Sequence, residues 1–114
     1  MQELSQNPQL LDYVVENLEM IIYCGGDLPQ EIGDKISSRI KLVNQYGASE
    51  MGLVACLQSR DNRDPEDWKY CQFHPEIGAT LRHVLDDVYE YHVVRDPKLE
   101  LQQPCFTIFP DTQE

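Results

Sequence analysis

Apolar positions in the first half of the chain change their spacing repeatedly, and each change marks an element. Leu10, Leu11, Val14, Val15 and Leu18 recur at helical spacing and form one stripe. Asn7-Pro8 ahead of them has the form of a helix start, a capping side chain followed by proline at the first helical position. Met20 to Cys24 is then a continuous apolar run, the pattern of a strand buried on both faces, and Gly25-Gly26 ends it. Leu28-Pro29 opens a second helix in which Ile32, Ile36 and Ile40 fall four residues apart, with Gly33 weakening it from within. Ile40 to Val43 leads out as another short strand. Residues 8 to 44 therefore read helix, strand, helix, strand. Two strands joined by a helical crossover are expected to be parallel neighbours with a right-handed connection.

The second half follows a different pattern. Leu53 to Leu57 is another apolar run, and Asp61 to Asp67 is a polar loop containing proline. Thr80 to Leu85 and Val88 to Val94 are strand-like on either side of Asp86-Asp87, which predicts a hairpin. Cys105 to Phe109, bracketed by Pro104 and Pro110, reads as a last short strand. The expected fold class is α/β: a parallel β-α-β unit over about residues 8–52, then mainly antiparallel strands over about 53–114, with no internal repeat.

Composition narrows the partners more than the fold. The 114 residues suffice for one modest domain, and 41% hydrophobic content argues against a wholly disordered chain. The net charge is −11, from 20 acidic and 9 basic residues. A surface that negative repels phosphate backbones, so neither nucleic acid nor an anionic membrane is an expected partner. The acidic residues are spread without a block, as on a solvated surface. Cys24, Cys56, Cys71 and Cys105 form no C-x-x-C pair, so no zinc site is signalled, and Cys24 and Cys56 read as buried free thiols. Met1 to Asn7 lack the charged start and apolar stretch of a signal peptide, and no run approaches the roughly 18 apolar residues of a membrane span. The expected location is cytoplasmic.

Candidate chemistry concentrates in Asn44-Gln45-Tyr46-Gly47-Ala48-Ser49-Glu50, directly after the second strand. A purine can stack on a tyrosine face. A glycine lets backbone approach a phosphate, and a hydroxyl beside a carboxylate can hold a phosphate oxygen and its magnesium. Open parallel sheets bind ligands at the carboxyl ends of their strands. Gly25-Gly26 and the Asn44–Glu50 stretch are both expected at that edge, on adjacent strands.

Other signals are weaker. Gly47-Ala48-Ser49-Glu50-Met51-Gly52 reads G-x-S-x-x-G, which lacks the glycine spacing of a serine-hydrolase elbow. His74, His83 and His92 fit neither a metal pair nor a triad. The acids of Asp61–Asp67 alternate as in a calcium loop, but Glu66 stands where that loop needs glycine. Trp68, Tyr70 and Phe73 read as core filler before a stacking platform. No G-x-G-x-x-G is present for a dinucleotide.

The seven residues Asn44–Glu50 resemble the N-x-Y-G-x-S/T-E motif of the adenylate-forming superfamily, which includes acyl-CoA synthetases, luciferases and peptide-synthetase adenylation domains. Cys24-Gly25-Gly26-Asp27-Leu28-Pro29 is similar to the Gly-rich turn that precedes this motif. Trp68, Tyr70, Phe73, His74-Pro75 and Gly78 are similar to fungal nonribosomal-peptide-synthetase-like and carboxylic-acid-reductase-type adenylation domains, and the resemblance covers nearly the whole chain. It implies an ATP-dependent, carboxylic-acid-activating enzyme with magnesium, and phosphopantetheine or coenzyme A as acceptor. Asn44 and Tyr46 would hold adenine, with Gln45 and Gly47 beside them. Ser49 would contact the phosphates, and Glu50 would bind magnesium, making these two the catalytic pair. Gly25, Gly26 and Asp27 would border the nucleotide, and Ile22, Cys24, Gln45, Leu53 and Val54 would line the acid pocket. Such domains run to several hundred residues. Their phosphate loop and their later aspartate and lysine have no counterpart here, so the resemblance implies an interior part of such a domain, inactive alone and partnered by the remainder. The competing expectation is a non-catalytic interaction module or a truncated remnant of the fold.

Overall fold

The computed structural model describes residues 1–57 and 65–113, which form two compact units. The first comprises residues 1–46 and 65–71, and the second residues 47–57 and 72–113. The architecture is mixed α/β. Asp61 to Asp64 of the expected polar loop lie outside the described residues, while Pro65–Lys69 is a short 3₁₀ helix.

The first unit contains α1 (Gln2–Gln6), α2 (Pro8–Asn17), β1 (Met20–Tyr23), α3 (Gln30–Ser37) and β2 (Lys41–Asn44). Asn7 caps α2, its side chain accepting from the Leu10 N–H, with Pro8 in the first turn. The two strands pair in parallel, Met20 with Lys41 through to Tyr23 with Asn44, as the crossover predicts. Ile36, Ile40, Leu42 and Trp68 form the core, and Leu4, Val14, Val15, Ile21, Tyr23, Leu28 and Ile32 pack on it.

Two expectations fail in this unit. β1 is not buried on both faces: Ile21 and Tyr23 reach the core, whereas Met20 is 40% and Ile22 59% exposed. On β2, by contrast, the adjacent Leu42 and Val43 are both buried, so the second face of the sheet is covered at β2 and open at β1. Cys24 is also exposed: β1 ends at Tyr23, and Cys24 has already entered the turn.

Gly33 is a packing requirement. Trp68 lies so close over α3 that a Cβ at position 33 would stand 2.0 Å from its Cζ2. The indole is 2% exposed, and its Nε1 donates to Asp34 Oδ1 at 2.8 Å. The same oxygen accepts from Gln30 Nε2 at 2.7 Å, and Lys69 Nζ donates to Gln30 Oε1 at 2.8 Å. The 3₁₀ helix is thereby fastened to α3 by one buried ring and a short polar chain.

The second unit holds two antiparallel hairpins, β3 (Gly47–Ala48) with β4 (Gly52–Leu53), and β5 (Ala79–Leu85) with β6 (Val88–Val93). Asp86 makes the left-handed corner of the longer one at φ 49°, and its carbonyl is hydrogen-bonded to His83 Nε2 at 2.7 Å. Short 3₁₀ helices cover Pro75–Ile77 and Pro97–Gln102. Residues 105–108 form a short helix, α4 (Cys105–Ile108), and the expected strand is absent. Pro104 has helical φ and ψ, and its carbonyl accepts the Thr107 N–H, so the proline that was expected to bound a strand starts a helical turn.

Gln103 joins the parts of this unit. It is 2% exposed; its Nε2 donates to the carbonyls of Ile77 (3.0 Å) and Val94 (2.8 Å), and its Oε1 accepts from the Asp96 N–H (3.0 Å). Gly78, at φ 72°, leaves room for this amide, since a Cβ there would lie 2.5 Å from Nε2.

Candidate functional site

Register decides where the predicted residues of the first unit fall. Tyr23 and Asn44 are paired, so both parallel strands end together, and the Gln45 N–H extends the ladder by bonding the Tyr23 carbonyl at 2.9 Å. Gly25 and Gly26 follow β1, and Asn44, Gln45 and Tyr46 close β2. Gly25 has φ 89°, which favours glycine, and a Cβ at Gly25 or Gly26 would meet no atom within 4 Å. Each of these glycines therefore borders open space. Asp27 lies exposed beyond them.

Asn44 is held from two sides. Its Nδ2 donates to the Lys69 carbonyl at 2.9 Å, and its own carbonyl accepts the Cys71 thiol at 3.3 Å. The segment that carries Trp68 into the core thus also orients the carboxamide at the end of β2. Gln45 is half-buried, with Nε2 3.4 Å from the Tyr46 carbonyl. Tyr46 is 43% exposed.

The rest of the predicted stretch belongs to the second unit. Gly47-Ala48 and Gly52-Leu53 pair, so Ser49, Glu50 and Met51 form the hairpin tip, closed by the Met51 N–H on the Ala48 carbonyl at 3.2 Å. Gly52 supplies the positive φ, 72°, that a tight three-residue loop needs, and Gly47 allows close pairing, since a Cβ there would lie 2.7 Å from the Gly52 carbonyl oxygen. Ser49 and Glu50 are exposed side by side at the tip. Their hydroxyl and carboxylate lie one residue apart, with no core role.

The expected acid-pocket residues do not share one environment. Ile22 and Cys24 are exposed, and Gln45 is half-buried, in the first unit. In the second, Leu53 is 69% exposed and Val54 is buried. Leu53 and Val54 line a space of about 20 Å³, room for about one water molecule. A larger cavity of about 320 Å³ in the same unit is lined by Glu50, Met51, Tyr91, His92, Val93, Cys105, Phe106, Phe109 and Thr112. Of these, the sequence singled out Glu50 as a magnesium ligand and weighed His92 and Cys105 without assigning them a site, but it did not draw the nine together. The one legible signal of their grouping was the period-two spacing of Tyr91 and Val93 on β6, which places both on one face.

Among the described residues, no group of three or more His, Cys, Asp or Glu side chains is placed to hold a metal by itself. No protein-family model matches the chain, and no solved structure matches it significantly.

Proposed function

We propose that this chain supplies the adenine, phosphate and magnesium contacts of an ATP-dependent enzyme that activates a carboxylic acid as its acyl-adenylate. The observation that carries this reading is the shared end of β1 and β2. A positive-φ glycine turn and an oriented asparagine with a partly exposed tyrosine leave one parallel sheet edge together. In the reaction a carboxylate oxygen attacks the α-phosphorus of ATP and pyrophosphate departs. Asn44 hydrogen-bonds the adenine edge, and Tyr46 stacks on its face. Ser49 donates to a phosphate oxygen, and Glu50 would hold the magnesium. Magnesium, when bound, neutralises charge on the phosphates. The remaining donors come from outside these residues.

The test is nucleotide titration of the chain followed by backbone amide NMR. ATP with magnesium is expected to shift the amides of Gly25, Gly26 and Gln45 to Gly47. Glu50→Gln is expected to remove the dependence on magnesium while leaving the adenine-side shifts. If those amides stay unmoved at millimolar ATP, the reading is wrong, and a non-catalytic interaction module takes its place.

A further inference from the structure

The cavity beside the hairpin tip has no part in nucleotide binding as proposed above, yet Glu50 and Met51 belong to its wall. Its remaining surface is mostly apolar, with Tyr91 and Val93 from β6 and Cys105, Phe106 and Phe109 from α4 and the residue after it, and His92 and Thr112 as its polar members. No lysine or arginine lines it among the described residues. The nearby Arg95 guanidinium lies 5.4 Å from the Phe106 ring centroid and is bonded to the Pro110 and Thr112 carbonyls. Ligand cavities of this size and lining take apolar bodies whose few polar atoms meet the rim.

We infer that this cavity binds the apolar body of the carboxylic acid, and that the acid is a monocarboxylate with an aromatic or alkyl body of about two rings. The size follows from volume. An apolar cavity of about 150 Å³ holds one benzene, and this one measures about 320 Å³. A second carboxylate on the body is disfavoured, because no lysine or arginine among the described residues lines the cavity, His92 is already bonded to Glu90 at 2.8 Å, and the chain as a whole carries −11. The carboxyl end belongs toward Glu50, where magnesium and phosphate would gather. That last step rests on the nucleotide reading, whereas the preference for an apolar body rests on the lining alone.

Cys105 gives a direct readout, because it is a half-buried free thiol in the cavity wall while Cys24 is an exposed free thiol in the other unit. The experiment is alkylation of the full chain with iodoacetamide, followed cysteine by cysteine by mass spectrometry. The probes are naphthamide, which is neutral, and acetamide as a small control. At ten times its Kd, naphthamide is expected to slow Cys105 alkylation about tenfold by mass action, with Cys24 unchanged and acetamide without effect. Phe109→Ala, which truncates a wall residue already 46% exposed, is expected to weaken the protection without lowering the melting temperature. Unchanged Cys105 rates with saturating naphthamide, equal slowing at Cys24, or full protection in Phe109→Ala would each overturn the proposal. Naphthoic acid with magnesium and ATP separates the two readings. Protection by naphthamide, without any gain from ATP for the acid, would keep the cavity and remove the activation chemistry.

Discussion

Gly33→Ala sets two well-understood effects against each other, and the structure decides the sign. By helix propensity alone, alanine in the middle of α3 should stabilise by about 1 kcal/mol. The structure puts the new methyl 2.0, 2.3 and 2.4 Å from Cζ2, Cε2 and Cη2 of Trp68. Carbon atoms rest at about 3.5–4.0 Å, so the ring must retreat by about 1.5 Å. It has little freedom to do so. It is 2% exposed, packed among Ile36, Ile40 and Leu42, lies 5.9 Å from the Tyr23 ring, and is tethered through Nε1 to Asp34. Overpacking typically costs about 1–3 kcal/mol, and stretching a hydrogen bond to a carboxylate adds about 1.5–3 kcal/mol if it breaks. Net destabilisation of about 2–4 kcal/mol is expected after the propensity gain is subtracted.

Trp68 is the only tryptophan, so its fluorescence reports this contact without labelling. Urea titration of Gly33→Ala should show a lower midpoint and a red-shifted native emission. Trp68→Phe should be destabilising alone, yet in that background Gly33→Ala should lose most of its penalty, because a six-membered ring leaves room for the methyl. The coupling expected from the double-mutant cycle is about 1–3 kcal/mol, as for residues in direct contact. A Gly33→Ala protein at least as stable as the parent, with unchanged emission, would refute the packing argument and leave only propensity.

Two further outcomes follow from single side chains. Gln103→Leu keeps the volume but strands two carbonyls and the Asp96 N–H, each worth about 1–3 kcal/mol when buried without a partner; calorimetry should show the second unit melting well below the parent, and an unchanged melt would remove Gln103 as its central tie. Tyr46→Ala should weaken ATP binding by about 1–3 kcal/mol, the scale of base–aromatic stacking, while Tyr46→Phe binds as the parent does. Because the ring is 43% exposed, neither change should lower the melting temperature, and lost stability with unchanged ATP affinity would reassign the tyrosine to packing.

What the sequence revealed and what it hid divide along a physical line. The helix starting at Asn7-Pro8, the parallel pairing of β1 with β2, and the Asp86-Asp87 hairpin rest on local chemistry: a cap, a crossover, a turn. Each was legible because the residues that decide it are neighbours in the chain. Gly33 was read only for its weak helix propensity, since the ring that requires it comes from position 68. Gln103 drew no notice because its three partners are spread over Ile77, Val94 and Asp96. The Cys105–Phe109 run misled for a related reason. Its residues favour strands, but a strand needs a partner edge, and here Pro104 offers a helical start while Phe106 finds burial from one face of a single turn.

The candidate site shows the same division. Asn44 to Glu50 is one uninterrupted motif, yet its first three residues end the parallel pair and its last four begin the hairpin of the second unit. Reading the stretch as a single turn after a strand missed its mechanics. Asn44, Gln45 and Tyr46 inherit their order from a sheet and from Lys69 and Cys71, which hold Asn44. Ser49 and Glu50 inherit theirs from a tight turn that Gly52 makes possible. Substitutions that loosen one support need not disturb the other. Cys71→Ala removes the thiol bond to Asn44 and should act on adenine recognition alone, whereas a β-branched residue at Gly52 should act on magnesium and phosphate alone. Parallel loss of both recognitions from either change would mean that the seven residues work as one rigid body.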